Sequence, residues 1–440
     1  FADHDDVYKL EMHPQKKLTY KFDGKWLTLK EKKIRMWVKL FWIIKIPVTK
    51  KYYESVYGPT LEKDGNYYSI RFLSAFDIRG AEQWYHMNKA SNFDEFQTAL
   101  KELALPGMNI IYADKNNNIM YLDNGQFPKK NKGYDWWHVV PGNTSATLWK
   151  ANDYYPYDSL LKVINPNCGY IFNNNNTPFN CTSKEDNPDK NKQALKDYYF
   201  AYNDNRALRT SYLFASKGKI SYDEFKAIKY DQTFMQPAYN YAMINIEDIL
   251  QLDTQKYPQI KESIEVLKKW NRKADVNNKQ AALVALVVKS IIDKIIEEGH
   301  FPAVQTRIKE WFLVKSVEDA QKHLFKHFGK LEIPLGDLQK LVRGSKKLPI
   351  GGIPDVNATM WLSKHKNGTY KAEAGETYIE LVQFTKNGPI IESISPYGSS
   401  NEEGSKHYND QMELFVQQKC KKMTMNYAEL IEEKESMYHP

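Results

Sequence analysis

Apolar and polar residues alternate along residues 1 to about 185, and this period of two predicts β-strands. The clearest alternating runs are residues 8–12, 33–46 and 67–72. Three dipeptides between such runs are typical of hairpin turns: Asp23-Gly24, Asp64-Gly65 and Asn124-Gly125. This part of the chain is therefore predicted to be rich in antiparallel sheet.

One helix is predicted inside this region, at residues 92–105. Asn92 can cap its first turn and Glu95 follows three positions later, which is the spacing of a capping box. Its apolar face comprises Phe93, Phe96, Leu100 and Leu103. Pro106-Gly107 is expected to end the helix.

Residues 190 to about 345 have helical periodicity instead. The predicted helices are residues 192–200, 221–228, 246–252, 260–270 and 279–298. From residue 360 the alternation of strands returns, notably at 378–384 and 389–394, and a last helix is predicted at 410–421. The pattern predicts three parts: a β-rich part at 1–188, a helical excursion at 189–345, and strands with a helix at 346–440 that complete one core.

Composition changes this picture only slightly. The chain of 440 residues has a net charge of +8 from 62 basic and 54 acidic residues, a mild bias that argues against a nucleic-acid groove. No run of 18 apolar residues is present, which argues against a membrane span. The most apolar stretch, residues 37–48, contains Lys39 and Lys45 and is interpreted as buried strands.

The three cysteines, Cys168, Cys181 and Cys420, form no CxxC pair, so a common type of zinc site is not expected. Cys168 and Cys181 flank an Asn-rich loop, and their spacing leaves a disulfide and two free thiols equally open. Glycosylation sequons would suit a secreted or lumenal protein, periplasmic in a bacterium; they begin at Asn143, Asn175, Asn180, Asn357 and Asn367.

Several segments resemble one family in a fixed order along nearly the whole chain. They are residues 1–11, 20–26, 109–121, 125–128, 141–142, 165–178, 205–209, 348–352, 397–400 and 406–411. Together they resemble the penicillin acylase and acyl-homoserine-lactone acylase family of N-terminal-nucleophile hydrolases. The resemblance implies an α+β fold, a four-layer αββα sandwich, here with a large helical insertion.

The resemblance also implies a mechanism. Members of this family cleave their own precursor and expose a Ser or Thr whose hydroxyl is the nucleophile and whose α-amine is the base. Phe1 has no hydroxyl, so the nucleophile is expected on an upstream segment or a separate α-chain polypeptide. The expected partners are that polypeptide and a small N-acyl substrate. The alternative is a homologue without catalysis that acts as a structural or binding subunit.

Two catalytic residues follow from the resemblance. Asn175 matches the Asn whose side-chain amide completes the oxyanion hole, with Asn173 as second choice, although an Asn in such a loop also suits a simple turn. Glycosylation at Asn175 and an oxyanion role exclude each other. Arg206 matches an Arg near the active site, against the alternative of a surface helix residue, and Arg209 is expected to be its structural partner.

The resemblance further implies a structural Ca²⁺ ion, because hard oxygen ligands from distant segments suit this metal. The implied ligands are Asp3, Asp5, Asp6, Trp136 and Asp186, with backbone carbonyls at Asp5 and Trp136. A solvated acidic turn is the other interpretation.

Trp84 and Met108 match residues of the family's acyl pocket, and as single apolar residues both also suit an ordinary core. No organic cofactor is expected.

Overall fold

The structure is a computed structural model that describes residues 5–40, 44–199, 203–235, 246–297 and 308–437. The chain forms two compact units, Phe1–Ala201 and Tyr202–Pro440. The predicted three-part division stays a prediction.

Unit 1 contains most of the strands that the alternation predicts. They are β1 (Asp5–Lys9), β2 (Thr19–Phe22), β3 (Lys25–Thr28), β4 (Lys30–Leu40), β5 (Ile44–Glu54), β6 (Pro59–Lys63), β7 (Asn66–Phe72), β8 (Met108–Ala113), β9 (Ile119–Asn124), β10 (Val140–Pro141) and β11 (Lys162–Ile164). Its two α-helices among the described residues are α1 (Gly80–Lys89) and α2 (Phe93–Leu100).

The largest sheet of unit 1 has the order β10-β1-β7-β6-β5-β4, a second sheet has the order β11-β9-β8, and β2 pairs with β3. Two predicted turns close hairpins. Asp23 and Asp64 have φ values of 46° and 51°, and the glycine after each is also left-handed, which matches the twist of the flanking strands.

The third predicted turn, Asn124-Gly125, is wrong as a hairpin. β9 ends at Asn124, whose buried side chain accepts from Gln83 Nε2 at 3.2 Å and donates to the Leu100 carbonyl at 3.2 Å. The β8–β9 hairpin turns earlier. There the Asp114 carboxylate accepts from the backbone of Asn116 and Asn118, at 2.8 and 3.0 Å. The side-chain amide of Asn124 is thus used to join α1 and α2 to the sheet.

Helix α2 confirms the predicted cap, since Asn92 Oδ1 accepts from the Glu95 backbone at 2.9 Å. The helix ends at Leu100 rather than 105, because the chain turns to bury Leu103, which has a φ of 52°. The helix predicted at 192–200 is wrong up to residue 199. Two short 3₁₀ turns lie there instead and direct Leu195 and Tyr199 into the core, and residue 200 lies outside the described part.

The prediction of buried strands at residues 37–48 is wrong. The described residues of this stretch are not buried strands, because every residue of β4 is exposed and only Val48 is half-buried in the part of β5 up to that position. β5 pairs with β6 only at Tyr53 and Glu54, so the rest of the β4–β5 ribbon extends beyond the sheet. Apolar composition alone does not report whether a ribbon is covered.

Unit 2 begins with helices and ends with strands. Its helices are α3 (Asn205–Ala215), α4 (Tyr222–Lys229), α5 (Ile246–Leu250), α6 (Lys261–Lys269), α7 (Ala281–Glu297), α8 (Glu310–Phe328), α9 (Leu335–Leu338), α10 (Met412–Val416) and α11 (Tyr427–Glu433). Its strands are β12 (Gln339–Arg343), β13 (Lys346–Pro349), β14 (Met360–Lys364), β15 (Tyr370–Gly375), β16 (Ile379–Thr385), β17 (Gly388–Ile394) and β18 (Lys421–Met423).

Helix α7 forms the centre of unit 2, because nearly all of its first two turns is buried, and it packs against α8. Two sheets follow, with the orders β13-β12-β15-β14 and β16-β17-β18. The helix predicted at 221–228 is present as α4, and a capping box formed by Ser221 and Glu224 begins it. No helix in the described ranges is both long and apolar enough to cross a membrane.

Candidate active site

The Asn-rich loop of unit 1 follows β11 and is held by its own amide side chains. Asn176 is buried and donates to the carbonyls of Thr177 and Asn180, at 2.9 and 2.6 Å. Its Oδ1 accepts from the Asn174 backbone at 2.9 Å. Asn176 therefore fixes the loop from inside and is committed to that structural role.

Asn175 lies at the exposed apex of this loop. Its φ of 64° is left-handed, which Asn tolerates better than most residues, and its backbone N–H donates to Asn173 Oδ1 at 3.0 Å. The side chain of Asn175 is therefore carried on a backbone that its neighbours fix. A fixed amide of this kind is what an oxyanion donor requires.

Asn173 and Asn174 each have a side-chain atom with unused hydrogen-bonding capacity. Asn173 Nδ2 and Asn174 Oδ1 are buried and contact no hydrogen-bond partner within the described residues. Buried polar atoms without partners cost free energy and concentrate at functional sites. The loop therefore offers an unsatisfied donor at Asn173 in addition to the amide of Asn175.

The base of the loop is fixed by Asp186. Its carboxylate accepts from the Cys168 backbone at 2.7 Å and from Asn167 Nδ2 at 3.1 Å. The backbone hydrogen bond from Cys168 lowers the pKa of Asp186 below its usual value. The predicted calcium ligand thus has both oxygens engaged in closing the loop.

The three cysteines are free thiols, so the disulfide interpretation does not describe this structure. Cys168 Sγ contacts Thr182 Oγ1 at 2.9 Å. Cys181 is fully buried, and this burial raises the pKa of its thiol to about 12. Cys181 consequently behaves as a small apolar core residue.

The second candidate centre lies in unit 2, at the first turn of α3. Asp204 caps this helix by accepting from the Ala207 backbone at 2.7 Å. The other carboxylate oxygen accepts from Arg206 Nε and Nη2, at 3.1 and 2.8 Å. Arg206 is therefore no surface residue of a free helix face, because its guanidinium is held against a buried carboxylate.

A second buried carboxyl, Asp355, lies behind the same turn. It accepts from the Asn205 backbone at 3.3 Å, and Asn205 Nδ2 donates to its carbonyl at 2.8 Å. Burial raises the pKa of Asp355 well above its usual value, and the neighbouring Asp204 raises it further. Burial also raises the pKa of Asp204, while the Arg206 charge opposes this shift.

Arg209, one turn later on α3, forms a separate ion pair. Its Nε and Nη2 donate to the two carboxylate oxygens of Asp231, at 3.0 and 2.9 Å. Arg206 and Arg209 are equally shielded, with 18% and 19% of their side chains exposed. They therefore hold two different carboxylates, and Arg209 does not support Arg206 directly.

In the segment at 348–352, the backbone conformation and a close backbone contact require glycine at position 352. Gly352 has a φ of 88°, and its N–H donates to the Ala274 carbonyl at 2.7 Å. A Cβ on Gly352 would lie 2.2 Å from the Ala358 carbonyl oxygen. This close backbone crossing leads directly into the turn that carries Asp355.

The two predicted pocket residues differ in their surroundings. Met108 is half-buried and packs against the core of unit 1. Trp84 lies on α1 with 46% of its surface exposed, next to the fully buried Gln83. Their positions do not show that the two residues share a pocket or that either one lines a pocket.

The acidic segment at β1 does not fit the predicted calcium ion. Asp3 lies outside the described residues, and Asp5 is exposed. Asp6 is buried, with Lys130 Nζ 2.9 Å from one carboxylate oxygen and Trp149 Nε1 2.6 Å from the other. The ammonium group already supplies a cation to the carboxylate that would bind the metal.

Trp136 also lies in this cluster, but it contacts Lys130 through its ring, whereas its backbone carbonyl was predicted to bind calcium. Its ring lies 5.3 Å from Lys130 Nζ, and its Nε1 donates to the Asn131 carbonyl at 2.9 Å. In the described part of the chain, no group of three or more His, Cys, Asp or Glu side chains is placed to hold a metal ion.

Sequence reasoning missed Lys130, Asp204 and Asp355. Asp204 carried a signal, since an Asp three residues before Ala207 at the start of a helical run suits an N-cap. Lys130 and Asp355 carried none, because their partners are more than 100 residues away along the chain.

The family model described as penicillin amidase matches residues 1–432 of the chain. The chain belongs to the penicillin amidase family. Its fold matches a thermostable penicillin G acylase from Alcaligenes faecalis with a TM-score of 0.64 and 19% identity, over 100% of this chain and 86% of that one. The predicted α+β N-terminal-nucleophile hydrolase fold is thereby confirmed.

Two curated relatives of this penicillin amidase family member are acylases. The acyl-homoserine lactone acylase PvdQ of Pseudomonas fluorescens (strain Pf0-1) is 21% identical over 94% of this chain and 58% of its own length. Penicillin G acylase of Escherichia coli is 30% identical over 40% of this chain and 21% of its own length. The chain thus spans less than two thirds of the relatives that it matches.

Proposed function

We propose that the protein containing this chain is an amidohydrolase that cleaves an N-acyl amide through an acyl-enzyme. Membership of the penicillin amidase family supports the reaction class, and the acylase names of the relatives support the substrate class. The nucleophilic hydroxyl comes from a polypeptide segment other than residues 1–440. The Asn-rich loop is the observation that carries the proposal.

The chemistry has two steps. The hydroxyl oxygen adds to the amide carbonyl carbon while the α-amine of the same residue takes its proton, and the C–N bond then breaks as this proton passes to the leaving amine. Water next adds to the ester and releases the acid. Negative charge develops on the carbonyl oxygen in both steps, so a fixed donor to that oxygen lowers both barriers.

Asn175 supplies this donor. Its amide is neutral, so it stabilises a developing oxyanion without an ion pair that would bind the ground state as strongly. The left-handed backbone and the hydrogen bond to Asn173 Oδ1 hold it in place before substrate binds. In this proposal Asn173 positions the Asn175 backbone through the same hydrogen bond.

Arg206 is a positioning residue in this proposal. Its guanidinium is held by Asp204, so its charge lies at a fixed point at the start of α3. Trp84 is proposed to contact the acyl group through its exposed ring, and Met108 is proposed to line the acyl pocket from its half-buried position against the core of unit 1.

The test uses the complete protein and single-turnover hydrolysis of a chromogenic N-acyl amide. Asn175→Ala removes the donor and is expected to lower the acylation rate by about 10²–10³. The matched control is Asn117→Ala, since Asn117 is also an exposed left-handed Asn of unit 1, with a φ of 64°. Asn117→Ala is expected to retain the full rate and reports any effect of losing Asn in this backbone conformation.

The outcomes separate the assignments. An unchanged rate for Asn175→Ala together with a large loss for Asn173→Ala transfers the donor role to Asn173. N-terminal sequencing of every polypeptide in the sample tests the nucleophile. If none begins with Ser, Thr or Cys and no hydrolysis is found, the protein is instead a non-catalytic structural or binding subunit.

A further inference from the structure

The β4–β5 hairpin is a ribbon that the described part of unit 1 leaves uncovered. Each strand has eleven residues, and the pairing runs from Lys30 opposite Glu54 to Leu40 opposite Ile44. At about 3.3 Å per residue the ribbon is roughly 35 Å long. A two-stranded ribbon without cover is only marginally stable by itself. We therefore expect its exposed side chains to contact a binding partner.

The register divides the ribbon into two chemically different faces, because directly opposed residues share a face and successive residues alternate. The aliphatic face comprises Ile34, Met36, Val38, Leu40, Ile44, Ile46 and Val48, with Lys50 opposite Ile34 at its inner end. The cationic face comprises Lys33, Arg35, Lys39, Lys45 and Lys51, with Trp37, Pro47 and Thr49 between them. The two faces stay separate along the six rungs from Arg35 opposite Thr49 to Leu40 opposite Ile44, which is the β-sheet counterpart of an amphipathic helix.

Both faces are open to solvent. The exposed fractions of Ile34, Val38 and Ile44 are 49%, 40% and 57%, and Trp37 on the other face is 62% exposed. Six of the seven aliphatic residues are exposed and one is half-buried. A continuous apolar surface of this kind on a folded protein marks an interaction site.

Most of the chain's net charge is located on this ribbon. Residues 30–54 contain eight Lys and Arg residues and two Glu residues, a net charge of +6 out of +8 for all 440 residues. Both glutamates lie at the inner end, where they pair with Lys32, Lys33 and Lys51. Among the described residues, neither Lys39 nor Lys45 at the outer end forms an ion pair.

We propose that this ribbon binds an anionic lipid surface. The aliphatic face enters the boundary between headgroups and acyl chains, and the lysines of the other face extend to the lipid phosphates. The ribbon lies in the interface and does not cross the bilayer, because its open edges carry backbone groups that hydrocarbon cannot satisfy. A second copy is a poorer occupant, since apposing two aliphatic faces would bring two charges of +6 together.

Vesicle flotation with the complete protein tests this proposal. Vesicles of phosphatidylcholine with about one third phosphatidylglycerol are compared with pure phosphatidylcholine. The wild type is expected to float with the anionic vesicles and to be released as salt is raised.

Two double variants, each at one rung of the ribbon, address the two faces. Val38→Asp with Ile46→Asp disrupts the aliphatic face, and Lys39→Glu with Lys45→Glu reverses charge on the other. Each is expected to weaken partitioning more than about tenfold. All four side chains are exposed, so folding should be retained.

Each double variant has a matched control in unit 2. Val382→Asp with Ile390→Asp changes two exposed aliphatic residues, 38% and 48% exposed, on the β16–β17 hairpin. Lys268→Glu with Lys269→Glu makes the same charge change on the exposed side of α6. Both controls are expected to float like the wild type.

Three results overturn the proposal. Equal flotation of the ribbon variants and the wild type means that another surface binds lipid. A wild-type dimer that Val38→Asp with Ile46→Asp converts to a monomer, without lipid binding, assigns the aliphatic face to a second copy. Absence of flotation in a monomer whose ribbon amides are protected from hydrogen exchange means that the rest of the protein covers the ribbon.

Discussion

Lys130 Nζ lies 2.9 Å from Asp6 Oδ1 in the interior of unit 1, where 4% of the lysine side chain and 1% of the aspartate side chain are exposed. The rings of Trp136 and Tyr198 each lie 5.3 Å from the same ammonium group. Burial raises the pKa of Asp6, and the Lys130 charge opposes this shift. The Lys130 ammonium group is thus a desolvated cation that the Asp6 carboxylate and two aromatic rings surround.

Lys130→Met should destabilise the protein strongly, because it leaves the Asp6 carboxylate buried without its cation. The expected loss in the free energy of unfolding is about 3–5 kcal/mol, measured by urea denaturation. Adding Asp6→Asn to Lys130→Met should recover part of the loss, since no buried charge then remains. The same experiment with a calcium chelator on the wild type should leave the denaturation midpoint unchanged.

Lys129→Met is the matched control for this prediction. Lys129 Nζ lies 2.8 Å from Asp153 Oδ1, nearly the same distance, but half of each side chain is exposed. Its loss is expected to cost less than about 1 kcal/mol. Equal effects at the two lysines, or a chelator that lowers the midpoint, would contradict the assignment of Lys130 as the resident cation.

Arg206 and Arg209 allow a controlled test of position on one helix. Arg206→Lys keeps the charge but loses the two-nitrogen contact to Asp204, and kcat is expected to fall about tenfold or more with KM little changed. Arg209→Lys removes the same type of contact to Asp231 and should change stability by a similar amount while kcat is retained. A loss of kcat that follows stability in both variants would show that Arg206 acts only through folding.

Asp355 should make stability depend on pH in a direction opposite to that of a salt-bridged carboxylate. Its folded pKa is raised well above the usual value by burial, so the folded state keeps a proton that the unfolded state has lost. The free energy of unfolding should therefore fall as pH rises from about 4 towards the raised pKa. It should be highest below the unfolded pKa, where both states are protonated.

Asp355→Asn should flatten this dependence, because the amide does not titrate and can still accept from the Asn205 backbone. Urea denaturation at a series of pH values measures it. The exposed Asp158, 91% of whose side chain is accessible, provides the control Asp158→Asn, which should leave the dependence as in the wild type. An identical slope in Asp355→Asn would refute the assignment.

Local patterns predicted local features of this fold well. The cap at Asn92 and the turns at Asp23 and Asp64 were predicted from neighbouring residues, because short-range hydrogen bonds and left-handed backbone determine them. The apolar stretch at 37–48 was misread for the opposite reason. Whether an alternating ribbon is covered depends on distant parts of the chain, which periodicity does not contain.

The residues of the candidate site also fall into two groups, those that a local pattern predicts and those whose partners lie far away along the chain. The position of Asn175 in a tight loop followed from its run of asparagines and from the family resemblance, and the structure describes that loop as a network of amide hydrogen bonds. The cation beside Asp6 comes from a residue 124 positions away, so no local pattern could show that a lysine lies where calcium was predicted.

Gly352→Ala should test whether the backbone crossing behind Asp355 is required. Alanine would have to adopt a φ of 88° and place its Cβ 2.2 Å from the Ala358 carbonyl oxygen, which is backbone and cannot move aside cheaply. We expect a loss of about 3 kcal/mol or more in the free energy of unfolding. Gly404→Ala is the control, because its Cβ would meet nothing within 4 Å, and it should change stability by less than about 0.5 kcal/mol. Equal denaturation midpoints for the two variants would mean that the segment at 348–352 relaxes without disturbing the turn that holds Asp355.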